Sequence, residues 1–157
     1  MTIALIAHDS KKELMVQFCM AYRHILEQHR LLATGTTGRL VEENAGLKVT
    51  KFLPGGHGGA EQIVARIACE EVDMLLFFRD PISAKPSEPN EMNLLRICDV
   101  HNVPVARSSI RSGENCTVCI NLQQIYNPRF QEIGGCFYCG QSALRLVVSS
   151  GCIQRTA

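Results

Sequence analysis

Short apolar runs alternate along the chain with longer amphipathic ones, regularly enough to lay out its elements. Five runs rich in β-forming residues read as strands: Ile3–Ala7, Arg30–Ala33, Leu47–Phe52, Met74–Phe78 and Pro104–Ala106. Between them, apolar positions recur at helical spacing near Lys11–Gln28, Gly38–Asn44, Glu61–Glu70 and Glu91–His101. Strand and helix in alternation is the pattern of a mainly parallel five-stranded sheet with helices on both faces, an α/β three-layer sandwich.

The polar residues with chemistry to offer fall just after the strands. In an open parallel sheet that edge is where ligands bind, so residues distant in sequence are predicted to converge on one rim. His8, Asp9 and Lys12 follow the first strand. A lysine there can neutralise a phosphate dianion, and a histidine beside it can donate to, or protonate, a substrate oxygen. Ala33-Thr34-Gly35-Thr36-Thr37-Gly38 follows the second strand and precedes a helix, with hydroxyls and helix-start N–H groups suited to an anion. Pro54-Gly55-Gly56-His57-Gly58-Gly59 follows the third and offers further backbone donors, and Asp80 follows the fourth. Each piece taken singly has a structural reading too: Thr34–Gly38 as a capped turn, His8 as a structural hydrogen-bonder, Asp9 and Asp80 as helix caps, Lys12 as a solvated charge. The glycine stretch is not a Walker motif and lacks the downstream acid of a dinucleotide fingerprint.

Composition narrows the field. With 157 residues, 46% of them apolar, the chain can bury the core of one domain. Its 16 basic and 15 acidic residues leave a formal charge of +1, with no long-range field to gather nucleic acid or an anionic membrane, so an anion is expected to be bound locally. No signal-like start and no run of bilayer-spanning length is evident, which predicts a cytoplasmic location and reduced or metal-bound cysteines.

These motifs in this order resemble the methylglyoxal synthase family. The resemblance rests on Ile3-Ala4-Leu5-Ile6-Ala7-His8-Asp9 with Lys12, the Ala33–Gly38 stretch, the glycine loop after Phe52, Phe77-Phe78-Arg79-Asp80-Pro81, and Leu94-Leu95-Arg96 leading to Asn102–Ala106. It covers roughly residues 1 to 106 of a single domain spanning 1–157, leaving 107–157 as a divergent cysteine-rich tail. The resemblance implies a flavodoxin-like/Rossmann-like domain, usually a homohexamer, that needs no cofactor and eliminates inorganic phosphate from dihydroxyacetone phosphate through an enediolate to give methylglyoxal. It implies phosphate binding by Lys12, Thr34, Gly35, Thr36, Thr37 and the Pro54-Gly55 turn, His8 at the carbonyl oxygen, and Asp9 and Asp80 as carboxylates near the reacting centre. The same fold also serves as a module that binds phosphorylated effectors, which keeps a catalytically weakened binding module open as the alternative.

This chain departs from the family on the side of the chemistry. The family's proposed base is an Asp closing a Gly-Gly-Asp loop, and the matching residue here is Ala60. Glu61, one position on, and His57, inside the loop, are candidates to stand in. Ser87 and Asn90 replace an expected His and Asp, and Pro54 replaces a usual Ser while Gly55 keeps its N–H. In the tail, residues 107 to 157 contain no Asp or Lys but five of the eight cysteines. Cys116, Cys119, Cys136 and Cys139 form two Cys-x-x-Cys pairs with spacing that a structural zinc site can use. Two other readings are open: an apolar tail with strands at Val118–Leu122 and Leu144–Val148, or a tail from a shifted reading frame.

Overall fold

The computed structural model describes the backbone of residues 1–80, 91–110, 116–121 and 144–149. Its sheet has the order β3-β2-β1-β4-β5-β6-β7. The strands are β1 (Thr2–Ala7), β2 (Arg30–Ala33), β3 (Val49–Lys51), β4 (Met74–Phe78), β5 (Val105–Ile110), β6 (Cys116–Asn121) and β7 (Leu144–Ser149). The pairs β3–β2, β2–β1, β1–β4 and β4–β5 are all parallel, which is the five-stranded sheet expected from the alternation. Strand β6 then runs antiparallel to β5, and β7 lies parallel to β6.

Successive residues of β1 supply opposite sides of the sheet, as the two-residue period of a strand requires. Ile3, Leu5 and Ala7 pack with Met15 and Phe18 of α1 (Lys12–Ala21), Ile25 and Leu26 of α2 (Arg23–Leu26), and Val41 of α3 (Gly35–Ala45). Ala4 and Ile6 pack with Ile63 and Ile67 of α4 (Gly59–Ala68) and with Leu94 and Cys98 of α5 (Glu91–Val100). Ile3–Ala7 of β1 and all of β4 are therefore apolar and buried, because both faces are covered. Among the described residues no helix is long and apolar enough to cross a membrane.

Chain order reverses between β1 and β4: β2 and β3 are added on one side of β1, β4 and β5 on the other. Loops leaving the carboxyl ends of β1 and β4 part there and open a crevice. Two hydrogen bonds tie its walls together, His8 N–H to the Phe78 carbonyl at 3.0 Å and Asp80 N–H to His8 Nδ1 at 2.9 Å.

Several boundaries differ from the sequence-based expectation. The single helix expected over Lys11–Gln28 is a 3-10 turn at Asp9–Lys11 followed by α1 and α2, with a break at Tyr22. No Pro or Gly marks that break; Tyr22 is buried against Phe18, ring centroids 4.7 Å apart, so packing overrides local propensity. Helix α3 begins at Gly35, three residues before the expected Gly38, so Gly35, Thr36 and Thr37 form its first turn. In the tail, β6 and β7 match the strand reading within two residues. Of the two Cys-x-x-Cys pairs, Cys116 and Cys119 lie three residues apart on the continuous strand β6. Cys136, Cys139, Ser87 and Asn90 lie outside the described residues.

Candidate active site

A cavity of about 230 Å³ lies at the carboxyl ends of β1 and β2, lined by Ile6, Ala7, His8, Asp9, Lys12, Thr34, Thr36, Pro54, Gly55, Gly56 and His57. Its size suits a small metabolite better than a drug-sized or nucleotide ligand. Three loops build it, one after each of the first three strands.

The first loop carries His8, which is 2% exposed at the end of β1. Its imidazole stands edge-on to the Phe77 ring, 5.5 Å between centroids. Because Nδ1 accepts the Asp80 N–H, the proton of the neutral ring is on Nε2. The buried Nε2 is thus a donor. The chain then makes one 3-10 turn and enters α1 at Lys12, whose ammonium meets Asp9 Oδ1 at 2.6 Å. That carboxylate is more than half exposed and Lys12 is 19% exposed, so the pair contributes little stability but aims the ammonium beside the cavity.

The second loop is the entry to α3. Thr34 is its N-cap residue, in extended conformation, and its hydroxyl donates to Thr37 Oγ1 at 3.2 Å. Both hydroxyls are buried. The first N–H groups of a helix have no acceptor within the helix. That of Gly35 reaches the Leu53 carbonyl at 3.0 Å, leaving those of Thr36 and Thr37 at the positive end of the helix dipole, where an anion is favoured.

The third loop closes the cavity through backbone contact. A Cβ on Gly35 would stand 2.7 Å from the Phe52 carbonyl oxygen, and one on Gly59 would stand 1.7 Å from the Leu53 oxygen. Neither position has room for a side chain, so glycine is what lets the loop sit on α3 and α4 and bring Pro54–His57 to the rim.

With this geometry in place, comparison with known proteins gives a consistent answer. Residues 14–107 match the family model described as the MGS-like domain. This chain belongs to the MGS-like family. The methylglyoxal synthase of Caldicellulosiruptor saccharolyticus is 51% identical to it over 137 residues, 84% of this chain and 96% of the relative. That of Thermoanaerobacterium thermosaccharolyticum is 56% identical over 106 residues, 68% of this chain and 79% of the relative. The crystal structure of methylglyoxal synthase from Elizabethkingia anophelis NUHP1 is 40% identical and aligns with a TM-score of 0.65, covering 66% of this chain and 68% of that one.

Of the residues singled out in this MGS-like chain, His8, Asp9, Lys12, Thr34, Thr36, Pro54 and Gly55 line one cavity. Gly35 and Thr37 stand behind it, the first as a packing contact and the second as partner to the Thr34 hydroxyl. Asp80 is also behind it: its N–H holds His8, and its carboxylate accepts the Ser10 hydroxyl at 2.7 Å. Glu61 is exposed on the first turn of α4 and is not among the lining residues, because Ala60 is the position that this turn buries, at 3% exposure. Gly56 and His57 are not among the phosphate-binding residues that the resemblance implies, yet both line the cavity. The one signal for them was their place in a glycine-rich loop after a strand.

Proposed function

We propose that this cavity eliminates phosphate from dihydroxyacetone phosphate to give methylglyoxal. The observation that carries the reading is the convergence of Lys12, Thr34, Thr36 and Gly55 with His8 in one small cavity, in a chain half identical to a methylglyoxal synthase over nearly that relative's whole length. Phosphate is held by the Lys12 ammonium, the Thr34 and Thr36 hydroxyls, the N-terminus of α3 and the N–H of Gly55. His8 donates its Nε2–H to the carbonyl oxygen and strengthens that bond as the oxygen gains charge in the enediolate. Asp80 is a positioning residue that fixes the His8 tautomer through its backbone, and Asp9 orients Lys12. Inorganic phosphate is the second product and occupies the same cradle. No cofactor takes part, the chain works as one domain in a cytoplasmic homo-oligomer, and a hexamer is the assembly that the family resemblance implies.

Ala60 favours a second reading, a phosphorylated-ligand binding module of the same fold, because a buried methyl replaces the family's carboxylate. Methylglyoxal formation from dihydroxyacetone phosphate by the purified protein separates the two. The enzyme reading expects turnover that falls by about 10²- to 10⁴-fold in His8→Ala. Phosphate binding without any turnover in the parent protein would establish the module instead.

A further inference from the structure

We infer that His57 is the general base of this site, taking the place of the carboxylate that Ala60 lacks. The inference rests on the lyase reading above. Elimination of phosphate from a ketone phosphate begins with loss of a proton from the hydroxymethyl carbon, so a basic group must reach the substrate that the cradle holds.

Among the described residues that line the cavity, the titratable side chains are His8, Asp9, Lys12 and His57. His8 is committed as a donor, since its Nδ1 accepts the Asp80 N–H. Asp9 is engaged with the Lys12 ammonium at 2.6 Å, and Lys12 is the cation of the cradle. Residue 60 has only a buried methyl, Glu61 is exposed outside the lining, and the Asp80 carboxylate holds Ser10 behind it. That leaves the imidazole of His57.

Its backbone is held firmly enough for the task. The His57 N–H and the Gly59 N–H both donate to the Pro54 carbonyl, at 2.9 and 3.1 Å, closing a 3-10 turn over Gly55–His57. Gly58 follows with φ at +91°, a conformation that L side chains rarely adopt, and Gly59 is wedged against Leu53. His57 therefore stands at the end of a clamped turn, with Gly55 and Gly56 of that same turn also lining the cavity.

In the first step an imidazole nitrogen of His57 takes the proton from the hydroxymethyl carbon, and the C–H electrons form the double bond of the enediolate whose oxygen accepts from His8 Nε2–H. The carbon–oxygen bond to phosphate then breaks with its electron pair leaving on phosphate, and the enediol hydroxyl proton goes to the phosphate oxygen as the aldehyde forms. The terminal methylene takes up one proton to complete methylglyoxal, which balances the one held as His57 imidazolium.

The test measures three quantities on the intact protein: methylglyoxal formation, deuterium uptake from D2O at the hydroxymethyl carbon by proton NMR, and calorimetric binding of inorganic phosphate. In His57→Gln both rates are expected to fall by at least about 10²-fold while phosphate affinity stays within about twofold, and in His57→Gly added imidazole is expected to restore exchange. Parental rates in His57→Gln, or a comparable loss in Glu61→Gln instead, would overturn the assignment and leave the lyase reading standing. A parent protein that binds phosphate but neither exchanges deuterium nor forms methylglyoxal would overturn both.

Discussion

The two sides of the cavity are built on different physical terms. On the side of β1 and β2, His8, Thr34 and Thr37 are polar groups no more than 4% exposed, His8 fixed by the Asp80 N–H and the two threonines hydrogen-bonded to each other. On the side of the loop after β3, Pro54, Gly56 and His57 are exposed, and the order comes from backbone packing around Gly35 and Gly59. Buried polar groups are costly to leave unsatisfied, so the first side tolerates little change. The second side can change its side chains as long as the glycines remain, and it is there that Pro54 and Ala60 depart from the pattern that the family resemblance implies.

The largest way to break the contrast is to weaken the rigid side alone. Lys12→Met removes the cradle's ammonium while keeping the stem of the side chain. A charge-assisted hydrogen bond of about 1.5–3 kcal/mol predicts a loss of roughly 10- to 100-fold in affinity for inorganic phosphate, read by calorimetry. An affinity within twofold of the parent would mean that the helix terminus and hydroxyls hold phosphate without the lysine.

On the loop side, Gly59→Ala places a Cβ 1.7 Å from the Leu53 oxygen. Accommodating it requires the loop to move, and overpacking of that kind is expected to cost about 1–3 kcal/mol in urea unfolding and to displace His57 from the cavity. Unchanged unfolding would show that the loop is free to shift, and would remove the argument that backbone packing orders it.

The smallest effect sharpens the distinction between core and surface without touching the site. Burial pushes the Cys19 thiol up to about 12, and burial, with Asp99 adding to it, does the same for Cys98. Near pH 8 both are therefore protonated and shielded, whereas Cys69 is exposed. Iodoacetamide labelling followed by peptide mass spectrometry should modify Cys69 first of these three, with Cys19 and Cys98 reacting only as the fold opens. Early labelling of Cys19 would mean that the packing of α1 on the sheet opens readily.

Much of this architecture was legible in the chain itself. A strand buried on both faces has to be apolar throughout, so Ile3–Ala7 and Met74–Phe78 announce themselves, and the helical periods between them leave little choice but a parallel sheet with two helical layers. Because ligands gather where such strands end, His8, Lys12 and Thr34 could be assigned to one rim from their positions alone. Tertiary structure decided the rest. Tyr22 breaks a helix that local propensity would continue, since burying its ring against Phe18 outweighs it. The Thr37 hydroxyl accepts from Thr34 and does not line the cavity, while its backbone N–H stays at the start of α3. The rotation of about 100° between successive helical positions leaves Glu61 outside when Ala60 faces in, and a close backbone approach that needs glycine, with no periodicity to announce it, carries His57 to the cavity.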